Sequence, residues 1–546
     1  MDAAWRSGAI PALPVDELLT DAAARFPDTP AMDFLGKRTS YAELGKLVER
    51  AAAGFQLLGV VKGARVALCL PNTPYYVICY YAILRAGGVV VNLSPLYVES
   101  EIRHFLKDSG ARIAITLDVA ELYTKFAPIM ADGALDHLII GSMLKILDPV
   151  KRFGFWLTRR KSLAKIPRDL RHVPFHALLR PGDDARPVPC RPATDVAMLQ
   201  YTGGTTGVPK AVMLSHANLI ANCVQVARRL PDIPPGSGML TLVPLFHVFA
   251  MTVAMNLSVM LGLNMILLPR YEKALLRKTL ARTRPLFFPG VPTIYANINE
   301  AAAKETWELS SIRFCVSGAA PLPAEIRSRF EQLSGCQLVE GYGLSETSPV
   351  VAANLFGAVR DGSIGLPLDE TIVEIRDLNN PARIVPPGER GEVCVRGPQV
   401  MLGYFNRPDE TANVFVDGAL RTGDVGYADR DGYIFLVDRI KDLIISGGYN
   451  VYPRMVEEAL YKHPAVLETV VIGIPDAKRG QVPKAFVRLQ ANAQVTVEAL
   501  QDFLATQLSP VERPKEIEFR ETLPKTIIGK LSRKELVAEE LAKQGA

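Results

Sequence analysis

Cysteine is sparse in this 546-residue chain. Cys69, Cys79, Cys190, Cys223, Cys315, Cys336 and Cys394 are scattered with no CxxC pair, which argues against a disulfide framework and for a reduced, cytoplasmic protein with mostly structural thiols. Neither sign of charge dominates: 62 Lys and Arg stand against 57 Asp and Glu, a net charge of +5, and this gives no case for a nucleic-acid partner. The opening stretch MDAAWRSGAIPALPVDELL lacks a basic segment followed by an apolar run, so no secretory signal is expected. No internal repeat is visible. HVPFH (172–176) has two histidines four apart, but Pro174 breaks the helix that a zinc pair would need, and no metal is assigned there. Charge is also missing from VFAMTVAMNLSVMLGLNMILLP (248–269), 22 residues long and sufficient to cross a bilayer. Asn256, Ser258, Gly262 and Asn264 interrupt it, and the pattern predicts a buried helix ended by Gly262 and a buried strand over 264–268.

What is present reads as soluble and globular, with 49% hydrophobic and 22% charged residues and a length suited to about three or four units. Apolar runs RVALCL (65–70), RIAIT (112–116) and HLIIG (137–141) alternate with helix-like stretches such as 41–59. That alternation predicts an α/β fold with a mostly parallel sheet and helices on its faces. A proline-rich connector, 180–195, follows. From about residue 360, TIVEIRD, GEVCVRG and GYIFLVD alternate apolar and polar residues between turns, the pattern of antiparallel strands. After DRIKDLIISGGYNVYP (438–453) a small α+β unit is predicted, with helix 454–462, strands 467–473 and 484–489, helix 497–507 and a last helix near 531–543. The expected division is an N-terminal domain, 1–440, and a C-terminal domain, 441–546.

Chemistry concentrates in YTGGTTGVPK (201–210). Gly203, Gly204 and Gly207 let the backbone approach a ligand closely, and successive N–H groups in such a turn form an anion-binding concavity. Thr202, Thr205 and Thr206 add donors and Lys210 a positive charge. The pattern suits phosphate, but it is not a Walker loop, because Lys210 precedes Ala211 instead of Ser or Thr. Four further stretches accompany it. SGAAPL (317–322) puts small residues where a flat ring could slide against backbone. EGYGLSET (340–347) offers the aromatic Tyr342 and the carboxylate Glu346, RTGDVG (421–426) sets Asp424 in a glycine turn, and LPKTIIGK (523–530) ends in Lys530. Singly, each has a plain structural reading as core filler, turn cap or solvated charge.

Together and in this order they carry a resemblance, from about residue 15 to 535, to the adenylate-forming superfamily of acyl-CoA synthetases, luciferases and peptide-synthetase adenylation domains. YTGGTTGVPK with PLFHVFAMT (244–252) looks most like the bacterial long-chain fatty-acyl-CoA synthetases. The resemblance implies a large N-terminal domain of two α/β sheet subdomains plus a small β-barrel-like one, with a small mobile C-terminal domain. It implies ATP and CoA as co-substrates and Mg²⁺ as cofactor. The loop 202–210, with Gly203, Gly204, Thr205, Thr206, Gly207 and Lys210, would embrace the pyrophosphate end of ATP, with Thr202 near Mg²⁺. Gly318, Ala319 and Ala320 would line the adenine pocket, Tyr342 would stack on the ring, and Gly343 would belong to the same ATP/AMP-binding set. Ser345 would bond the α-phosphate, and Glu346 would ligate Mg²⁺. Asp424 would hold the ribose, assisted by Arg439. His247 and Phe249 would border the acyl pocket, and His247 counts among the catalytic residues. Lys441 would be the hinge, Lys530 the adenylation lysine, and Gly447, Gly448 and Tyr449 the path of the CoA thiol. The chain departs from the family pattern at Ala211, at Met455, and in GALRTGD, which lacks a tryptophan before the aspartate. None of these removes a reacting group.

The segment 151–172 carries eight Lys or Arg against one Asp, interleaved with Phe153, Phe155, Trp156 and Leu157. It suits an anionic membrane surface, or equally a solvated loop. The expected protein is a cytoplasmic acid–thiol ligase that makes fatty acyl-CoA from medium- to long-chain acids, with peripheral membrane contact and a homodimer as possible associations. The alternatives are a fatty-acyl-AMP ligase that loads a carrier protein, a CoA ligase for dicarboxylic or aryl acids, a luciferase-like oxygenase, and a non-catalytic fatty-acid-binding or uptake protein.

Overall fold

The computed structural model describes residues 7–180, 184–202, 209–491, 493–526 and 531–544. An eight-stranded sheet runs in the order Gly403–Tyr404, Lys210–Ser215, Val196–Thr202, Val89–Asn92, Arg65–Leu68, Ile113–Leu117, His137–Gly141, His172–Pro174. It is parallel except at its first two pairings. A nine-stranded sheet holds a parallel centre from Pro30–Phe34 through Asn264–Leu267, Gly238–Thr241, Phe287–Gly290 and Phe314–Ser317 to Gln337–Gly343. The alternation of apolar strands with helices was therefore a sound guide to the α/β class.

Both sheets are buried on both faces, and the two-residue period shows it. Val66 and Leu68 point into the core that the sheets share, whereas Ala67 and Cys69 point to the far side. In the second sheet Met265 and Leu267 face the shared core, and Ile266 and Leu268 face away. Helix Pro74–Arg85 fills the space between, with every residue from Tyr75 to Leu84 buried. An all-round apolar helix belongs in such a place. Its Tyr76 hydroxyl lies 2.9 Å from Asn92 Oδ1 on the first sheet and 2.8 Å from the Leu245 carbonyl beside the second. Helix Tyr41–Leu57 starts at a capping box, Ser40 with Glu43, which satisfies N–H groups that a helix start leaves free.

The uncharged stretch 248–269 is a buried helix and a strand. Val248–Ala250 is α, Met251–Asn256 is a π turn, Leu257–Leu261 is α again, and Asn264–Leu267 is a central strand. Gly262 ends the helix in the left-handed region, φ 69°. No helix among the described residues is long and apolar enough to cross a membrane.

A third, antiparallel sheet is built from Ile372–Arg376, Gly391–Arg396, Ala419–Ala428, Phe415–Val416 and Ile434–Arg439. The fourth joins Tyr449–Val451, Ile444–Ser446, Gly480–Leu489, Val466–Asp476 and Glu516–Phe519. Helices Pro453–Tyr461, Val497–Ala505 and Arg533–Gln544 accompany it. Strands predicted at 467–473 and 484–489 are longer than expected. Pro475 and Pro483 look like strand ends in the sequence, yet both are in register within one long hairpin, opposite Gln481 and Gly473.

Candidate active site

Strand ends of three sheets converge on a cavity of about 480 Å³. Phe314–Ser317 delivers Gly318 and Ala319, and Gln337–Gly343 delivers Tyr342 and Gly343, followed by Ser345 and Glu346. The eight-stranded sheet contributes Thr202 and Lys210, and the antiparallel sheet Thr422, Gly423 and Arg439. His247 and Phe249 close the apolar side, with Val226, Leu230, Val253 and Leu368.

Small residues are needed where they stand. A Cβ on Gly318 would sit 2.9 Å from Cζ of Phe249, and one on Gly343 would sit 1.9 Å from the Pro349 carbonyl oxygen. Ala319 is held at φ 66°, a costly region for a residue with a side chain.

Asp424 is buried and doubly held. The Tyr342 hydroxyl donates to its Oδ2 at 2.6 Å, and Arg439 Nε lies 2.9 Å from its Oδ1. Asp424 and Arg439 are direct partners in the antiparallel ladder. Thr422 Oγ1 accepts from the Asp424 N–H at 3.0 Å, and Glu392 accepts from the Gly423 N–H at 3.1 Å. A carboxylate accepts about four hydrogen bonds, so acceptor capacity remains for a ligand's hydroxyls. Burial, reinforced by the Asp424 charge, pushes the Tyr342 phenol well above its ordinary pKa, so it stays a donor.

Glu346 Oε1 accepts from the Tyr404 hydroxyl at 2.9 Å. Lys210 Nζ lies 5.0 Å from the centre of the Tyr404 ring and pairs with Glu410. His247 Nδ1 accepts from the Phe249 N–H at 3.3 Å. An imidazole that accepts at Nδ1 carries its proton at Nε2 when neutral.

Several expected residues lie elsewhere. Ala320 is not among the lining residues, and neither are Lys441, Gly447, Gly448 and Tyr449; Asp424 does not line the cavity itself but sits behind the lining residues Tyr342 and Arg439. Gly447 and Gly448 form the turn between two strands of the fourth sheet at φ 58° and 83°, and Tyr449 is 67% exposed. Lys441 stands in the short turn Ile440–Asp442, where burial lowers its ammonium pKa against the pull of Asp442. Gly203, Gly204, Thr205, Thr206, Gly207 and Lys530 lie outside the described residues. Sequence reading missed Tyr404, Glu410, Glu392 and Thr422. Thr422 had a signal, two residues before Asp424, whereas Tyr404 is 58 positions from the carboxylate it supports.

Two family models match in chain order, that of the AMP-binding enzymes over residues 19–405 and that of their C-terminal domain over 455–530. The chain belongs to the AMP-binding enzyme family. Among relatives of this AMP-binding enzyme is a long-chain-fatty-acid–CoA ligase of Bacillus subtilis, 43% identical over 97% of this chain and 95% of the relative. An anthranilate CoA ligase in complex with anthranoyl-AMP has the same fold, with TM-score 0.85, 25% identity and 98% of each chain covered. The o-succinylbenzoate–CoA synthetase of B. subtilis, in complex with ATP and a magnesium ion, gives TM-score 0.77, 27% identity and coverage of 95% of this chain and 99% of that one.

Proposed function

We propose that this AMP-binding enzyme is an AMP-forming fatty-acid–CoA ligase, which converts ATP, a fatty acid and CoA into acyl-CoA, AMP and pyrophosphate through an acyl-adenylate. One observation carries the reading: a single cavity runs from a polar end, lined by Tyr342, Thr422, Gly423 and Arg439 with Asp424 held directly behind Tyr342 and Arg439, to an apolar end bordered by Phe249, Val226 and Val253. Such a cavity holds a nucleotide and an alkyl chain head to head. Near-full-length identity to a long-chain-fatty-acid–CoA ligase supports the fatty chain.

Asp424, steadied by Tyr342 and Arg439, binds the ribose hydroxyls. Gly318, Ala319 and the Tyr342 ring receive adenine, and Ser345 meets the α-phosphate. Among the described residues no cluster of three His, Cys, Asp or Glu forms a metal cage. A nucleotide-borne ion suits this donor set, because Mg²⁺ is commonly held by one or two carboxylates plus substrate phosphates. Glu346 would hold it with Thr202 nearby, and when bound the ion offsets charge on the phosphates. The acid's carboxylate oxygen attacks the α-phosphorus and the bond to pyrophosphate breaks. Lys530 stabilises the negative charge that builds there. The CoA sulfur then attacks the acyl carbon, AMP leaves with the bonding electron pair, and the thiol proton passes to solvent.

The division we infer is an N-terminal domain, 1–440, and a C-terminal domain, 441–546, which turns about Lys441. In one orientation Lys530 serves adenylation; in the other Gly447, Gly448 and Tyr449 flank the thiol. The exposed position of that turn suits the first orientation. Segment 151–172 is proposed to touch an anionic membrane surface. Helix Pro149–Arg159 buries no residue and exposes Val150, Phe153 and Leu157, spaced i, i+3, i+7 along one face.

The test is CoA-dependent AMP formation over a panel of short, medium, long, dicarboxylic and aryl acids. Turnover highest on long alkyl acids supports the proposal. AMP and pyrophosphate formation without CoA consumption points to an acyl-AMP ligase, and preference for aryl or dicarboxylic acids overturns the fatty-acid assignment.

A further inference from the structure

A second and larger cavity, about 1170 Å³, opens on another side of the molecule and shares no lining residue with the first. Its floor is apolar: Phe34 of the second sheet, Ile78 of the central helix, Ile140 of the first sheet, and Phe175. Its rim is basic, with Arg38, Lys46, Arg50 and Arg168. Three carboxyl groups also line it, and each is engaged locally. Glu43 accepts from the Ser40 N–H at 2.9 Å, Asp118 from the Met143 N–H at 2.9 Å, and Asp169 faces His172 Nδ1 at 2.9 Å. Lys46, Arg50 and Arg168, by contrast, have no hydrogen-bond or ion-pair partner among the described residues. A pocket whose anions are engaged and whose exposed cations face only solvent favours an anionic guest.

The cavity is tied to the exposed basic helix. Lys145 and Ile146 before that helix, and Ile166 to Leu170 after it, all line the cavity, so the helix is an excursion between two parts of its wall. Lys37 Nζ donates to the Lys145 carbonyl at 3.1 Å, and Lys151 Nζ donates to the Leu35 carbonyl, which fastens the helix start to the wall hairpin. At the rim Leu170 is 90% exposed, and on the helix Phe153 and Leu157 are 65% and 63% exposed. Rings and aliphatic groups flanked by Lys and Arg settle at headgroup depth.

We propose that this cavity binds one molecule of anionic phospholipid, with its phosphate at Lys46, Arg50 and Arg168 and an acyl chain over Ile78 and Phe175. The proposal rests on the reading of 151–172 as a membrane-contact segment. The exposed basic helix beside the cavity sets its rim at headgroup depth, where phosphodiesters are the abundant anions, and this favours a phospholipid over a free acid as the guest.

Titration calorimetry of the full chain with dihexanoyl-phosphatidylglycerol below its micelle concentration tests the cavity without any bilayer. The expected result is saturable one-to-one binding, with dihexanoyl-phosphatidylcholine much weaker. Lys46→Glu/Arg50→Glu, and separately Leu47→Trp as a cavity filler, should weaken it by about tenfold or more, the weight of a charge-assisted hydrogen bond. Phe153→Ser/Leu157→Ser should leave this binding intact and reduce cosedimentation with phosphatidylglycerol vesicles. All three variants should keep wild-type AMP formation on a short soluble acid, which verifies folding. Failure of vesicle binding with retention of soluble-lipid binding would overturn the membrane reading and leave the cavity assignment standing. Vesicle binding without saturable soluble-lipid binding would overturn the cavity assignment. Equal binding of phosphatidylcholine, or displacement of the lipid by a stoichiometric fatty carboxylate, would overturn the phospholipid assignment.

Discussion

Tyr404→Phe isolates one hydroxyl. The ring stays, so its packing and its contact with Lys210 Nζ, 5.0 Å from the ring centre, are kept. What goes is the donor to Glu346 Oε1, 2.9 Å away. A hydrogen bond to a charged group is worth about 1.5–3 kcal/mol net. Glu346 lines an open cavity, so water can replace part of the lost bond, and the low end, about 1.5 kcal/mol, applies. That is about a tenfold effect. If Glu346 is the Mg²⁺ carboxylate, the loss falls on its aim, and the Mg²⁺ concentration for half-maximal pyrophosphate release should rise about tenfold with saturating-Mg²⁺ rates nearer to wild type. Glu346→Gln should shift it further and lower the ceiling. An unchanged Mg²⁺ dependence in a folded Tyr404→Phe protein would refute the assignment of Glu346 to the metal, because its orienting bond would then be irrelevant to the metal step.

Asp424→Ala removes the common acceptor of Tyr342 and Arg439 and should raise KM for ATP by about 10–100-fold, with little change in the KM for CoA; an unchanged KM for ATP would sink the ribose assignment. Lys530→Ala should lower adenylation by on the order of 10²–10³ yet still make thioester from supplied acyl-adenylate. Gly448→Trp should show the opposite defect, with Gly448→Asn as control for backbone strain at φ 83°, and equal loss of both half-reactions in both mutants would refute domain rotation. Burial raises the Asp438 carboxyl from 3.8 to about 6 despite Arg533. The native state therefore holds a proton that the unfolded chain releases, and this contribution to stability, full below pH 4, is lost as pH rises through about 6. Urea unfolding of wild type and Asp438→Asn between pH 4 and 7.5 should show the variant gaining relative to wild type by about 2–3 kcal/mol; a pH-independent difference would refute it.

Much of this molecule was legible from sequence because periodicity reports burial. Three strands of the eight-stranded sheet, at 65–70, 112–116 and 137–141, and the strand at 264–268 of the nine-stranded sheet stood out as short apolar runs, since each is covered on both faces. The third sheet stood out through alternation. The stretches 317–322 and 340–347, which line the cavity, stood out through their glycines and small residues, and at Gly318 and Gly343 a Cβ would collide. Tyr404 was not legible, because a tyrosine that supports a carboxylate 58 positions away looks the same in sequence as one that fills a core. The cationic cavity was invisible for the same reason: Arg50, on helix Tyr41–Leu57, and Arg168 meet only after folding.

The π turn at Met251–Asn256 contributes Val253 to the apolar end of the cavity, and it is anchored at both ends. Thr252 donates to the Ser348 carbonyl at 2.8 Å, Tyr81 to Asn256 Oδ1 at 2.9 Å, and Asn256 Nδ2 to the Tyr80 hydroxyl oxygen at 3.3 Å. Just beyond it the Tyr41 hydroxyl reaches the Ser258 carbonyl at 2.8 Å. A backbone bolted at so many points cannot slide to admit a longer guest. The gauge of the channel is therefore set by the side chains that project from it and face it, Val253, Val226, Leu230 and Leu368. Under the proposed acyl assignment, trimming or extending those four positions should retune which acids are accepted while leaving the scaffold that carries them unmoved.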